Sequence, residues 1–347
     1  NNGDNMKQLK NLVALIAGLF AFTSVQAGEL SVTGSMQATY QSEVDAVTGN
    51  PLGMNTDLTF SGSTDTDFGE ATWTMATDGT FLGESGADHS FKIATSFGTI
   101  GIGNAGDAAN AVDDITPTAF EEANGSGSGT YTTDFGSGMD GSMSLTYANG
   151  DLMGTGVSVA YSYYPKLDGA TNNEKGASTT TSNSANSAQS INVGLPLASL
   201  PVIGDTVIGG AKITLGYEES DNLTAANQDK EGGTVAVNLP VGPLSIGYQK
   251  KAYQAAQAET AFFKDDILGI AYAVNEDFAI SYNIIESAKH DHAAGEVEQE
   301  TKAINLAYTV GGLTLGFQDA KTNNAGYSEN TSDRSEERRV GKECRSR

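Results

Sequence analysis

From Glu29 the chain alternates, residue by residue, between an apolar and a polar stripe. In ELSVTGSMQATY, Leu30, Val32, Met36 and Tyr40 fall on one stripe and Ser31, Thr33, Ser35, Gln37 and Thr39 on the other. A period of two is the signature of a strand, because a helix returns to the same face only every three or four residues. The pattern recurs in LTFSGS, TWTM, FKIATSF, SMSLTY, GVSVAYSYY, QSINVGLPL and AKITLGYEE. It continues in GTVAVNLP, PLSIGYQKK, DDILGIAYAV, DFAISYNII, KAINLAYTV and GLTLGFQDA. No helical period competes with it, so the chain is expected to be all-β.

The chemistry of the polar stripe decides which kind of all-β protein is expected. A sandwich in water tolerates Lys, Glu and Arg freely on its wet face. Here that stripe is mostly Ser, Thr, Gly, Asn and Gln, while the apolar stripe carries Tyr40, Tyr147, Tyr161, Tyr217, Tyr248, Tyr272, Tyr282 and Tyr308 near strand ends. Strands of about 10 residues with aromatic ends fit a transmembrane antiparallel β-barrel. Short turns (SFGT, LPVGP, AVNED, TVGG) also interleave with long polar loops, as in barrels of outer membranes. One connection, LASLPVIGDTVIGG, is long where the rule asks for a short one. With the strand that follows the SFGT turn (GTIGIG) added and YTTDF (131–135) placed in a loop, the strand count is fifteen. Single-chain bacterial barrels close with even numbers, so sixteen strands are expected, the last lying outside this sequence.

Both ends read as foreign to the barrel. Lys7 and Lys10 precede the run LVALIAGLFAF, and Ser24-Val-Gln-Ala27 offers small residues for cleavage. That is the layout of a signal peptide over 6–27, with 1–5 as upstream read-through. The barrel domain then covers 28–334. Residues 335–347, SEERRVGKECRSR, resemble a translated sequencing adapter, and every arginine and the single cysteine fall within the last 14 residues, Arg334–Arg347. Two of the 19 basic residues precede Gly28 and six lie in 333–347, which leaves 11 lysines against 38 of the 43 acids over 28–332 and a formal charge of −27. Such a surface has no means of neutralising phosphates, so nucleic acid is excluded as a partner. The lack of cysteine over the barrel suits an exported chain.

At the level of motifs the chain resembles the Gram-negative general-diffusion porins, particularly the alphaproteobacterial, Rhodobacter-type branch. The residues that carry the likeness are ELSVTGSMQATY, LTFSGSTDTDFG (58–69) and FKIATSFGTIGIGNAGDAA (91–109), where strand, turn and strand lead into an acidic segment. The resemblance implies a homotrimer of sixteen-stranded barrels in the outer membrane, surrounded by lipid and passing small hydrophilic solutes and ions. It also implies a third loop folded into the lumen, here about 105–134, with Asp107, Asp113, Asp114, Glu121 and Glu122 as its carboxylates. Porins of this kind commonly face that loop with arginines; this barrel has none, and strand parity offers Lys92, Lys212 and Lys251 as lumenal cations. Five acids against so few bases are expected to make the channel weakly cation-selective.

The stretch Gly101-Ile-Gly-Asn-Ala-Gly106 matches G-x-G-x-x-G, but a dinucleotide fingerprint requires crossover helices and a parallel sheet, which the pattern excludes. Gly101, Gly103 and Gly106 are expected instead to thin the inner wall so that the loop can lie against it. Catalysis is not expected: only His89, His290 and His292 are available, and no G-x-S-x-G occurs. No metal site or cofactor is assigned. His290 and His292 lack further ligands, and the acidic pairs Asp65/Asp67 and Asp265/Asp266 would bind Ca²⁺ weakly at most. A solute-specific channel, marked by an aromatic track in the lumen, and a barrel that merely anchors adhesive loops are the alternatives to a diffusion porin.

Overall fold

The structure is a computed structural model, and it describes residues 29–43, 50–77, 88–104, 107–121, 123, 135, 139, 142–167, 187–200, 203–204, 206–221, 229–254, 262–291, 295–329 and 332–345. The expected read-through (1–5), the expected signal peptide (6–27) and most of YTTDF lie outside these residues.

Fifteen strands run in chain order around one antiparallel sheet: β1 Glu29–Glu43, β2 Leu52–Thr66, β3 Gly69–Thr77, β4 Asp88–Thr95, β5 Gly98–Gly103, β6 Ser144–Asn149, β7 Ser158–Tyr164, β8 Ala188–Pro196, β9 Lys212–Ser220, β10 Lys230–Val241, β11 Leu244–Gln254, β12 Phe262–Ala273, β13 Phe278–Asp291, β14 Gly295–Val310 and β15 Leu313–Asn323. Each pairs with its sequence neighbour, so the sheet is an uninterrupted meander. A further strand, β16 (Ser332–Arg345), pairs with β15 on one side and β1 on the other and closes the ring.

That last strand corrects the sequence reading, which leaves the closing strand outside the chain. The physical reason is that β1 and β15 present unpaired N–H and C=O groups along their full length. Any extended segment without proline can satisfy such edges through its backbone, whatever its side-chain pattern. The alternation rule that identifies the other fifteen strands is silent on this one.

Register fixes the two faces. Opposed residues share a face, so the pairs Val32–Phe60, Phe60–Met75, Phe91–Ile102, Tyr147–Tyr161, Leu215–Val235, Ile270–Tyr282 and Leu306–Phe317 mark one continuous apolar surface. That surface is the outer one: Leu30, Met36, Tyr217, Tyr248, Tyr282, Ile304 and Tyr308 are all exposed. Inward stand Thr214, Thr234, Gln249, Asn283, Gln299, Thr301, Asn305 and Gln318, all buried. The molecule is therefore inside-out relative to a protein that folds in water, where such an apolar girdle would be a liability.

Strands are longer than the apolar pattern suggests. The segment SAKHDHAAGEVEQE reads as a loop, yet β13 and β14 extend through it and pair as far as Asp291 and Gly295. Backbone ladders need no apolar stripe, so a hairpin can project beyond the oily band with polar residues on both faces. The turns on the opposite rim are tight. Thr66-Asp-Phe-Gly69 and Thr95-Ser-Phe-Gly98 repeat one device, in which the threonine hydroxyl donates to the glycine carbonyl (2.7 and 2.6 Å) and accepts from the phenylalanine N–H (3.2 and 3.3 Å). Gly98 takes φ +135°, which a side chain would resist.

Candidate constriction of the barrel lumen

Between β5 and β6 the chain turns into the barrel and lies against the inner wall from β7 to β15. Asp107 starts this segment. Its Oδ1 accepts from the N–H groups of Ala109 (2.6 Å) and Asn110 (2.8 Å), ahead of the short 3-10 turn Asn110–Val112, and from the Ser190 hydroxyl at 3.2 Å. Burial pushes this carboxyl above the ordinary aspartate range. Asp107 thus fastens the loop rather than lining a passage.

Further along, the wall supplies a row of amide and hydroxyl side chains that satisfy the loop backbone. Asn192 donates to the Ala108 carbonyl (2.6 Å), and Gln249 donates to those of Val112 (2.9 Å) and Asp113 (2.6 Å). Gln249 also accepts from Ile115 N–H (3.0 Å). Asn238 donates to the Ile115 carbonyl (2.7 Å), Asn283 to that of Pro117 (3.0 Å), and Ser281 accepts from Ala119 N–H (2.9 Å). A buried backbone requires such partners, and the polar stripe of the strands provides them.

Where the loop comes closest the wall is glycine. A Cβ added to Gly247 would stand 2.2 Å from Pro117 Cδ, one on Gly269 would stand 2.5 Å from the Pro117 carbonyl oxygen, and one on Gly316 would stand 2.1 Å from the Phe120 ring. Gly216 and Gly232 leave room in the same way for Phe135, at 3.1 and 2.8 Å. Phe135 packs with Ala109, Val112 and Ile115, and Met139 packs with Tyr164 and Ala188, so the inserted segment runs past Asp134 to Met139. Gly101 and Gly103 do lie in close quarters, but against Thr146 and Lys92 and against the His89 backbone in neighbouring strands, not against the loop. The expectation placed the thin wall beside the loop's origin; the loop instead crosses the lumen to the far side. Gly106 and Glu122 lie outside the described residues.

One ion cluster pins the middle of the loop. Lys251, fully buried on β11, reaches Asp113 Oδ1 at 3.0 Å, Asp114 Oδ1 at 3.2 Å and Asp265 Oδ2 at 3.7 Å. Asp265 also accepts a hydrogen bond from Ser287. Three carboxylates against one ammonium leave a formal charge of −2. Desolvation outweighs the attraction of Lys251 and holds the Asp113 carboxyl at about 6, well above the usual range. Glu121 stands beside β15, where its carbonyl accepts from Gln318 at 3.4 Å.

Register places Lys92, Lys212 and Lys251 on the inner stripe, as parity suggests, but in different settings: Lys92 and Lys212 are exposed, whereas Lys251 is not. Parity also misses two lysines. Lys230, 3.4 Å from the buried Glu218, and Lys289 are inner residues of strands that begin earlier or end later than their apolar patterns. Asp265 and Asp266 face opposite sides, since neighbours in a strand must; Asp266 is bound outside by Lys250 at 2.8 Å. Asp65 stands on β2 and Asp67 in the turn that follows. His89 belongs to β4, His290 lies 3.6 Å from Glu296, and His292 falls outside the described residues. Among the described residues no group of three or more His, Cys, Asp or Glu is arranged to hold a metal ion.

Among the described residues, the hydrogen bonds of the inserted segment go to β7–β15 and none to the inner face of β1 to β4. Ser35, Gln37, Asn55, Asp57 and Thr72 are half-buried there, and Glu70 and Lys92 are exposed. Asp57, which the sequence reading assigns no role, accepts from Ser35 (2.9 Å) and Asn55 (3.0 Å). Its signal was present in the alternation with Thr59 and Ser61, two and four residues on.

No family model matches the sequence, and no curated protein matches it. Solved structures match it in fold. A porin refined at 1.8 Å aligns with a TM-score of 0.63 at 14% identity, covering 91% of this chain and 100% of that one. The trimer form of OmpT, an outer membrane protein of Vibrio cholerae, aligns at 0.62 and 11% identity (92% and 100%). A mutant of the Rh. blastica porin aligns at 0.57 and 13% identity (91% and 100%). The chain therefore has the fold of the porins, an all-β antiparallel barrel.

Proposed function

We propose that this barrel is an outer-membrane channel through which small hydrophilic solutes and ions diffuse passively, with a weak preference for cations. The observation that carries the reading is the combination of an apolar exterior with a polar interior only partly filled by a fastened loop. Hydrocarbon satisfies the exterior, and every strand is paired on both sides around the ring, which is what a lipid environment demands. A barrel of about sixteen strands is wide enough to hold an aqueous passage. That passage lies between the inserted loop and the β1–β4 wall.

The charge balance supports the cation preference. Asp57, Asp65 and Glu70 stand on the inner stripe of that wall with Lys92, the loop cluster adds its net −2, and β16 sets Arg339 and Arg345 against Glu337 and Glu343 at inner register positions. Carboxylates in a narrow, low-dielectric surround raise the local cation concentration. A homotrimer accords with the trimer form known for the OmpT neighbour, and the Gram-negative outer membrane is the location in which such a barrel works. The inward row Tyr253, Phe263 and Tyr327, with ring centroids 6.4 and 5.7 Å apart, is short and Tyr253 is buried, so a solute-specific track is the weaker reading.

Single-channel recording across a planar bilayer with unequal KCl on the two sides tests the proposal. Stepwise conductance with a reversal potential on the cation side is expected. A bilayer left without ohmic steps by inserted, folded protein would refute it.

A further inference from the structure

The long connection between β8 and β9 is the one feature of the turn-side rim that the channel reading leaves unused. From Ser190 to Ala211 the sequence carries a single charged residue, Asp205. Two short 3-10 turns organise it, Leu197–Ser199 and Val207–Gly210. Much of its described backbone is satisfied from within. Leu200 N–H donates to Leu197 (3.0 Å), Ile203 and Gly204 to Leu200 (3.1 and 2.9 Å), Thr206 to Ile203 (2.9 Å), Gly209 to Thr206 (2.9 Å) and Ala211 to Ile208 (3.0 Å). Even its hydroxyls fold back: Ser199 donates to the Pro196 carbonyl and Thr206 to that of Ile203, each at 2.6 Å. Backbone that meets its own needs is a requirement at membrane depth and a matter of indifference in water.

Apolar side chains meanwhile point away from this scaffold. Leu200 is 45% exposed and Ile208 49%; Met153, in the adjoining β6–β7 turn, is 92% exposed. The two connections pack together, since a Cβ on Gly156 would lie 3.3 Å from Pro196 and 3.7 Å from Ser199. The segment leaves β8 after the outward Leu195 and rejoins the wall at the outward Ile213, so the patch continues the oily exterior. The other half of the same rim differs, with Asn275, Glu276 and Asp277 in the β12–β13 turn.

We infer that the β8–β9 connection is an interfacial anchor, with Met153, Leu200 and Ile208 immersed in the headgroup boundary of the phospholipid leaflet below the barrel. The occupant of the patch is lipid, because its exposed side chains Met153, Leu200 and Ile208 are apolar, much of its described backbone is bonded within the segment, and it is continuous with the lipid-facing band. Immersion of such groups reaches about 5–10 Å into the boundary. This inference rests on the membrane-spanning reading of the barrel.

The chain's single tryptophan, Trp73, lies on the outer stripe of β3 and separates the two ideas. In vesicles of brominated phospholipid, the unmodified protein reports through Trp73 whether the barrel spans the bilayer. The W73F/L200W and W73F/I208W variants then report on the connection, and W73F/E276W on the opposite half of the rim. Expected is strong bromolipid quenching of Trp73 and of both connection variants, weak iodide quenching of the latter, and the reverse for E276W. If Trp73 is quenched while the connection tryptophans answer to iodide alone, the anchor is refuted and the spanning barrel stands. Quenching of the connection by neither reagent would mean that protein covers it, and overturns the anchor equally. Loss of bromolipid quenching at Trp73 itself would overturn the barrel reading instead.

Discussion

Replacing Lys251 with methionine keeps an unbranched side chain one atom shorter and removes its charge, and the structure allows the consequence to be worked out. Lys251 holds Asp113 and Asp114 at 3.0 and 3.2 Å and Asp265 at 3.7 Å. Each close pair attracts by about 5 kcal/mol at an effective dielectric constant of about 20. Desolvation and repulsion among the acids cancel much of this, and deletion of one partner from a buried cluster typically costs about 3–5 kcal/mol. In the variant a formal −2 becomes −3, with Asp265 sealed against the wall. The loop still holds Gln249, Asn238, Asn283 and Ser281, so the barrel is expected to form. The loop's middle should detach intermittently. Single-channel traces of Lys251→Met should therefore show added flicker and a larger mean conductance than the unmodified protein, and Lys251→Arg should restore quiet openings. Traces of K251M indistinguishable from the parent in noise and conductance would show that the ion cluster does not hold the loop.

The same geometry supports further expectations. Gly269→Ala places a methyl 2.5 Å from the Pro117 carbonyl oxygen; the backbone must shift, at a cost of about 1–3 kcal/mol, and denaturant unfolding together with conductance should register it, whereas Gly311→Ala, open on all sides but at φ +56°, should leave conductance unchanged. Asp57→Asn removes a lumenal carboxylate and should move the reversal potential in a KCl gradient toward zero while unfolding stays the same. For Asp113 the sign follows from its raised value of about 6 against an ordinary 3.8. The folded state holds the proton more tightly, so this carboxyl's own contribution to docking is fully present below about pH 4 and is lost as pH rises through about 6. Asp113→Asn should abolish that pH dependence, read as the change in open-channel noise between pH 4 and pH 7.

Strand parity is a local property, and for that reason the sequence alone determined the fifteen alternating strands, the direction of their oily face and the inward placement of Lys92, Lys212 and Lys251. The resemblance to porins singled out the acidic β5–β6 segment as the loop that enters the lumen. What the sequence could not determine was where that loop comes to rest, because docking joins residues far apart in the chain: Ile115 meets Gln249 across 134 positions and Glu121 meets Gln318 across 197. Gly247, Gly269 and Gly316 look like any strand glycine until Pro117 and Phe120 are seen above them. Asp113, Asp114 and Lys251 read as opposed charges across an opening, and only the tertiary structure showed them clasped. The closing strand was likewise decided by the ring itself, since two open edges recruit backbone without regard to the side-chain pattern that betrays every other strand.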